Sequence, residues 1–345
     1  MNQDEVVKLM ARKDQNTAEE ATFKHFMYCP FTGLGLYDGF RGNRWLKNRI
    51  EVFKQFVIPS LQAQTNKNFT LWISWRHEEK SNPLVKELVS YLSKQNLNVI
   101  HTYTGVCFYD DKYPKEEARH RLLNSLHGAM REELLNATEG EYGYRDVYMT
   151  IQPSDDCYSK YTVDAIQRAF AANPNFQAVG FSKGWIMDQK TLEIREWNPK
   201  TNPPFYAIRF PRPLFIDPVK HAAYTSLKRD VEGYEAGTPL PSHEWVGAAL
   251  NYGIFGHIRG FLVGVHGENI STVFDHPYVG ALAPDGTLAE FGLERVGPLN
   301  LYTGWRRRLF NRLSYGAKRK LRYLAGEKKS VFRPLFNAFY NLLRN

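Results

Sequence analysis

The feature that most constrains this chain is an alternation of short β-prone runs with amphipathic helical stretches, sustained from residue 23 to residue 170. Phe23–Cys29 reads as a buried strand stopped by Pro30. Residues 45–64 carry Leu46, Ile50, Phe53, Val57 and Leu61 at helical spacing, and Pro59, which has no N–H to give, should kink that helix or begin a new turn. Residues 69–75 form a second strand, 82–94 a helix with Pro83 in its first turn, and 98–103 a third strand. A long helix over 115–137 and a strand at Asp146–Ile151 complete the series, with a further helix over 159–170. Strands alternating with helices predict an α/β fold with a mostly parallel sheet flanked by helices.

Past residue 170 the pattern changes. Residues 176–187, 193–197, 205–210 and 257–265 read as strands joined by turns containing Pro and Gly, with short helices over 218–225 and 245–250. There is no internal repeat. The glycines between 33 and 42 are too irregular for a phosphate-binding loop or a dinucleotide fingerprint and read as turns.

The fourth strand ends in Gln152, Pro153 and Ser154 and then in two adjacent acids, Asp155 and Asp156. Adjacent carboxylates just beyond a buried strand repel each other and lose solvation, so something must offset that cost. Two readings are open on the local sequence. The acids could cap a turn before the helix that follows. Alternatively, they could hold a divalent cation that bridges to a phosphate, at the carboxyl edge of the sheet where open α/β folds bind ligands.

Charge narrows the partners. Of the net charge of +9, residues 301–345 contribute +11, from 12 Lys and Arg against Glu327 alone. The other 300 residues hold 33 Lys and Arg against 35 Asp and Glu, so the body of the chain is near neutral and gives no basic face for nucleic acid. Cys29, Cys107 and Cys157 are odd in number and lack a paired spacing, which predicts reduced thiols in a cytosolic protein. The polar residues 1–20 do not read as a secretory signal, and no run approaches the roughly 20 apolar residues needed to span a bilayer.

Several phrases in order resemble the bacterial family of rhamnosyltransferases, which has the GT-A, family 2-like glycosyltransferase fold. Asn43, Arg44, Trp45, Leu46 and Arg49 are followed by Phe53, then by Pro59, Ser60, Leu61, Ala63, Gln64 and Thr65, then by Phe69 and Trp72. Ala118, Arg119 and Arg121 with Gly140 and Glu141 resemble the passage before the acidic motif; 152–156 resembles the motif itself; and Val265, His266, Gly267, Asn269 and Ser271 resemble a late phrase of the family. The resemblance covers roughly 22–275. One departure stands out: Pro153 occupies the place of the motif's first acid.

The resemblance implies a GT-A domain over 21–300, with a nucleotide-binding half at 21–170 and an acceptor half at 171–300. It implies transfer of a sugar from a nucleotide-diphosphate donor to a glycan or lipid-linked acceptor of the cell surface, assisted by Mn²⁺ or Mg²⁺ as a Lewis acid. Asp156, Asp155 and His266 are its expected metal ligands, Asp155 and Arg121 its expected donor contacts, and Glu244 its expected base for the acceptor hydroxyl. His243 is a second candidate base, Trp245 either an acceptor wall or core, and Arg49 a candidate buried structural cation. Pro153 keeps open a non-catalytic relative that binds glycans or membranes.

The tail has its own pattern. Trp305, Leu309, Leu313, Ala317, Leu321 and Leu324 share a helical stripe whose other face is Arg and Lys, and Phe332, Leu335, Phe336, Phe339 and Leu343 follow. Two readings are open: the stripe lies in the plane of an anionic membrane, as basic amphipathic helices do, or it packs on the body of the chain with its charges solvated; the one-sided charge favours the membrane. The expectation is a cytoplasmic protein held at the inner face of a membrane through 304–343.

Overall fold

The computed structural model describes residues 23–32, 42–104, 144–232, 235–237, 243–267 and 274–301, with 317 and 320. The lead-in at 1–20, the helix expected over 115–137, Cys107, Arg121 and the basic tail beyond 301, apart from 317 and 320, lie outside the described residues.

The alternating half folds as its pattern dictates. Strand β1 (Phe23–Cys29) leads to helix α1 (Gly42–Val52), a wide π turn (Phe53–Val57) and helix α2 (Ile58–Gln62). The backbone stays helical through Val57 and Ile58, and the widened turn falls immediately before Pro59, which has no N–H to continue the ladder. Then come β2 (Thr70–Arg76), α3 (Pro83–Leu92), capped by the Asn82 side chain on the Leu84 N–H, β3 (Val99–Thr104) and β4 (Asp146–Ile151). These four strands are parallel neighbours in the order β3-β2-β1-β4.

Both faces of this sheet are covered, which is why β1, β2 and β4 are buried at most positions. Met27, Cys29, Leu71 and Ile73 pack with Leu46, Ile50, Val57 and Leu61 on one side. Phe26, Tyr28 and Trp72 face the other core, with Phe215 and Val246. The fully buried polar side chain of β1, His25, is satisfied: Gln167 donates to its Nδ1 at 3.0 Å, which leaves Nε2 to donate to Thr150 Oγ1 at 2.8 Å. Burial holds that imidazole down at about 3, so it is neutral.

The second half corrects the expectation of a mostly parallel sheet. After β5 (Cys157–Tyr158) and α4 (Thr162–Ala172), strand β6 (Ala178–Asp188) forks the sheet. One side of β6 pairs antiparallel with β8 (Tyr206–Pro211) and then with β7 (Ile194–Trp197); its other side pairs parallel with β9 (Tyr252–Val265). Strand β8 also lies antiparallel to β4, so the two halves share one continuous ten-stranded sheet that ends at β10 (Val279–Leu282). Short helices α5 (Arg212–Ile216), α6 (Pro218–Tyr224) and α7 (Val246–Ala249) cover the second core.

Candidate functional site

The site is built where β4 runs out. After Ile151 the chain turns through residues 152–156 and pairs again at once, with Cys157 and Tyr158 antiparallel to Leu262 and Phe261 of β9. That short pairing carries the acidic loop onto the end of β9. The Asp156 carboxylate accepts the Gly264 N–H at 2.8 Å, and Gln152 Nε2 donates to the Pro153 and Asp156 carbonyls at 2.8 and 2.9 Å, closing the loop on itself. Glycine is required at 264: a Cβ there would stand 2.4 Å from the Asp155 carbonyl and 2.3 Å from Gln189 Nε2.

Helix α1 supplies the counter-charge. Arg49 lies one helical turn after Trp45, on the stripe that faces the core, and its guanidinium sits 5.3 Å from the Trp45 ring. It is 2% exposed and ion-paired through Nη1 with Asp155 Oδ2. His266, buried just beyond the end of β9, directs Nε2 at the same oxygen from 3.2 Å. The two acids therefore differ. Burial pushes the Asp155 carboxyl up, but Arg49 and His266 more than offset this and hold it at about 2. Burial, and then the Asp155 charge beside it, push Asp156 well above the ordinary carboxylate range despite the Gly264 N–H.

Three residues expected from the sequence thus meet: Asp155, Asp156 and His266. A ligand set aims its lone pairs at one point. Here His266 Nε2 and Arg49 both address Asp155 Oδ2, and Asp156 Oδ1 is taken by a backbone N–H. Among the described residues no group of three His, Cys, Asp or Glu side chains gathers as a cation site. As arranged here the donor set does not fit a three-ligand ion, since His266 donates to Asp155 and Asp156 accepts from Gly264.

Glu244 stands at the same edge of the sheet, outside that network. It lies in a single 3-10 turn, His243–Trp245, that opens α7. Its exposed carboxylate accepts from Thr201 Oγ1 at 3.4 Å, and His243 Nδ1 bonds the Asn202 carbonyl. Residues 201 and 202 precede β8, whose Ala207 pairs with Thr150 near the end of β4. Glu244 therefore lies beyond the carboxyl end of β4, as the acids do. It does not cap α7, where no side chain bonds the first N–H groups. Trp245 packs against the second core, the structural one of its two expected roles.

The partners that sequence reasoning left out are Gly264, which meets the loop through its backbone N–H, Gln189, whose side-chain amide donates to the Asp155 carbonyl, and the closing contact of Gln152. The signal for Gly264 was its place one residue before the late Val265 and His266 phrase.

Comparison with known proteins gives one partial family match and several distant structural likenesses. A family model described as "Putative rhamnosyl transferase" matches residues 40–99, the stretch that contains α1 and Arg49. Among solved structures, S. aureus TarS 1–349 superposes with a TM-score of 0.35 and 10% identity, over 93% of this chain and 71% of that one. A second S. aureus TarS structure gives 0.34 and 13%, over 70% and 37%. A "putative nucleotide-diphospho-sugar transferase" from Desulfovibrio desulfuricans G20 gives 0.33 and 12%, over 71% and 81%. No curated protein matches the sequence.

Proposed function

We propose that this chain is a glycosyltransferase that moves a sugar, in keeping with its family resemblance a rhamnosyl group, from a nucleotide-diphosphate donor to a glycan or lipid-linked acceptor. One observation carries the reading: the segment that matches the rhamnosyl transferase model supplies, through Arg49, the buried partner of the acidic motif at the carboxyl edge of the sheet. A helix cap would need no guanidinium. An acid fixed in its charged form at the ligand-binding edge of an α/β sheet suits a polar donor.

In this reading, Asp155 is held ionised and aligned by Arg49 and His266, and the loop around it positions the donor. Glu244, exposed and on the same edge, takes the proton of the acceptor hydroxyl as it attacks the sugar carbon from the side opposite the leaving diphosphate, which inverts the configuration. Arg121, expected from sequence to reach the diphosphate, is part of the proposal. So is attachment to the inner face of an anionic membrane through the basic tail.

The test is a screen of nucleotide sugars with hydrolysis and transfer read by mass spectrometry. Turnover of one donor is expected, and Glu244→Ala should bind that donor while transfer falls by about 10²- to 10⁴-fold. Wild-type transfer in that variant would remove Glu244 as the base. Pro153, in place of the motif's first acid, favours one other reading, a non-catalytic glycan or membrane binder. Absence of both turnover and nucleotide binding would decide for it.

A further inference from the structure

We propose that Arg49 is the resident cation of the acidic motif, and that the chain binds a nucleoside diphosphate without a divalent ion. The inference rests on the donor reading given above. It starts from the mismatch between the residues present and an ion site.

Arg49 already holds Asp155 Oδ2 as its cationic partner. Its guanidinium is always charged and presents its donors as a rigid fork. It is buried, stacked over Trp45 and paired with the carboxylate. A divalent ion on the same oxygen would lie within contact range of that guanidinium, and like charges so close in a buried site repel strongly. Moving Arg49 aside would strand a buried cation, which costs more than the pair contributes.

The other two groups do not restore an ion site. His266 donates to the oxygen that Arg49 holds, and the Asp156 oxygen nearest β9 receives the Gly264 N–H. Pro153 removes a further carboxylate. The usual need for the ion, to keep acids from repelling a diphosphate, is met from within the chain: Asp155 is already neutralised by its partner. The charge of the diphosphate then meets a balanced edge rather than a bare acid.

The experiment is calorimetry on the full chain with UDP, GDP and dTDP, after EDTA treatment and again with excess Mn²⁺ or Mg²⁺. The expected result is binding of at least one nucleotide with dissociation constants that agree within about twofold in the two conditions. Arg49→Met should weaken binding about tenfold or more in EDTA and regain part of it with Mn²⁺. Arg49→Lys, which keeps a charge, should fall between. Wild-type binding that disappears in EDTA and returns with the ion would overturn the inference and leave the donor reading standing. Failure to bind any nucleotide in either condition would overturn both. The wild-type arms decide the matter even if Arg49→Met does not fold.

Discussion

Asp155 and Asp156 are neighbours in sequence with opposite electrostatic fates, and the difference sets how the protein should respond to mutation and pH. Removing Arg49 leaves Asp155 buried without its counter-charge, so Arg49→Met should cost about 3–5 kcal/mol in urea unfolding. Arg49→Met with Asp155→Leu should cost clearly less than the two single losses added, because the double variant buries no lone charge. Additive losses would show that the pair is uncoupled. The pH response divides by sign. Asp155, held at about 2, contributes stability that is present above the ordinary carboxylate value and lost as pH falls through about 2. Asp156, raised by burial and by its neighbour, contributes stability below the ordinary value and loses it as pH rises. Asp156→Asn imitates the protonated form and keeps an oxygen for the Gly264 N–H. Its urea midpoint should therefore exceed that of the wild type at pH 8 and approach it at pH 4. A variant less stable than wild type at both values would refute that assignment. The acids themselves were legible in the sequence, because a strand ending in two carboxylates is a local pattern. The role of Arg49 as the specific partner of Asp155 was not legible, since the pairing joins distant segments and depends on which helical face turns inward. His266 was found for its position; its bond to Asp155 Oδ2 depends on side-chain direction, which periodicity does not encode.

At the scale of elements, the acidic loop depends on two residues of pairing between β5 and β9. Gly264→Ala would drive a Cβ into the Asp155 carbonyl and Gln189, so β9 and the loop would have to separate. A loss of about 1–3 kcal/mol in thermal or urea unfolding is expected, with weakened nucleotide binding. Unchanged stability and binding would show that the contact gives way freely. The strands with buried apolar runs, β1 and β4 above all, were read at their observed bounds, and β2, β3 and β6 within a residue or two. Strand β5 is too short to leave a pattern. β10 pairs with only one neighbour at the sheet's end, and its half-exposed and exposed residues give no alternation to detect. The start of β9 was missed because Gly253 and Gly256 interrupt its apolar run. The glycine at 253 lies where a Cβ would meet the Phe176 ring at 2.8 Å, so close packing, which a sequence pattern does not show, is what holds this part of the strand.

At the scale of the molecule, the body is near neutral and the tail strongly basic, and the membrane attachment proposed for the tail can be tested through its charge. The full chain should sediment with vesicles of phosphatidylserine and phosphatidylcholine but not with phosphatidylcholine alone, and high salt should release it, since each cation near an anionic surface contributes about 1 kcal/mol. Equal binding to both vesicles would rule out the electrostatic mode. The continuous sheet was only half legible: alternation revealed the parallel strands, whereas the fork at β6 follows from pairings on both sides of one long strand. The link between Asp156 and Gly264 has a consequence for the order of assembly. Arg49 and Asp155 are both synthesised well before β9, so the charge pair can form early, while the backbone donor to Asp156 arrives only when the last long strand docks. Completion of the site and docking of that strand are then a single event. The rate at which the Gly264 amide exchanges its hydrogen with solvent should accordingly report, at one position, both the closing of the fold and the integrity of the site.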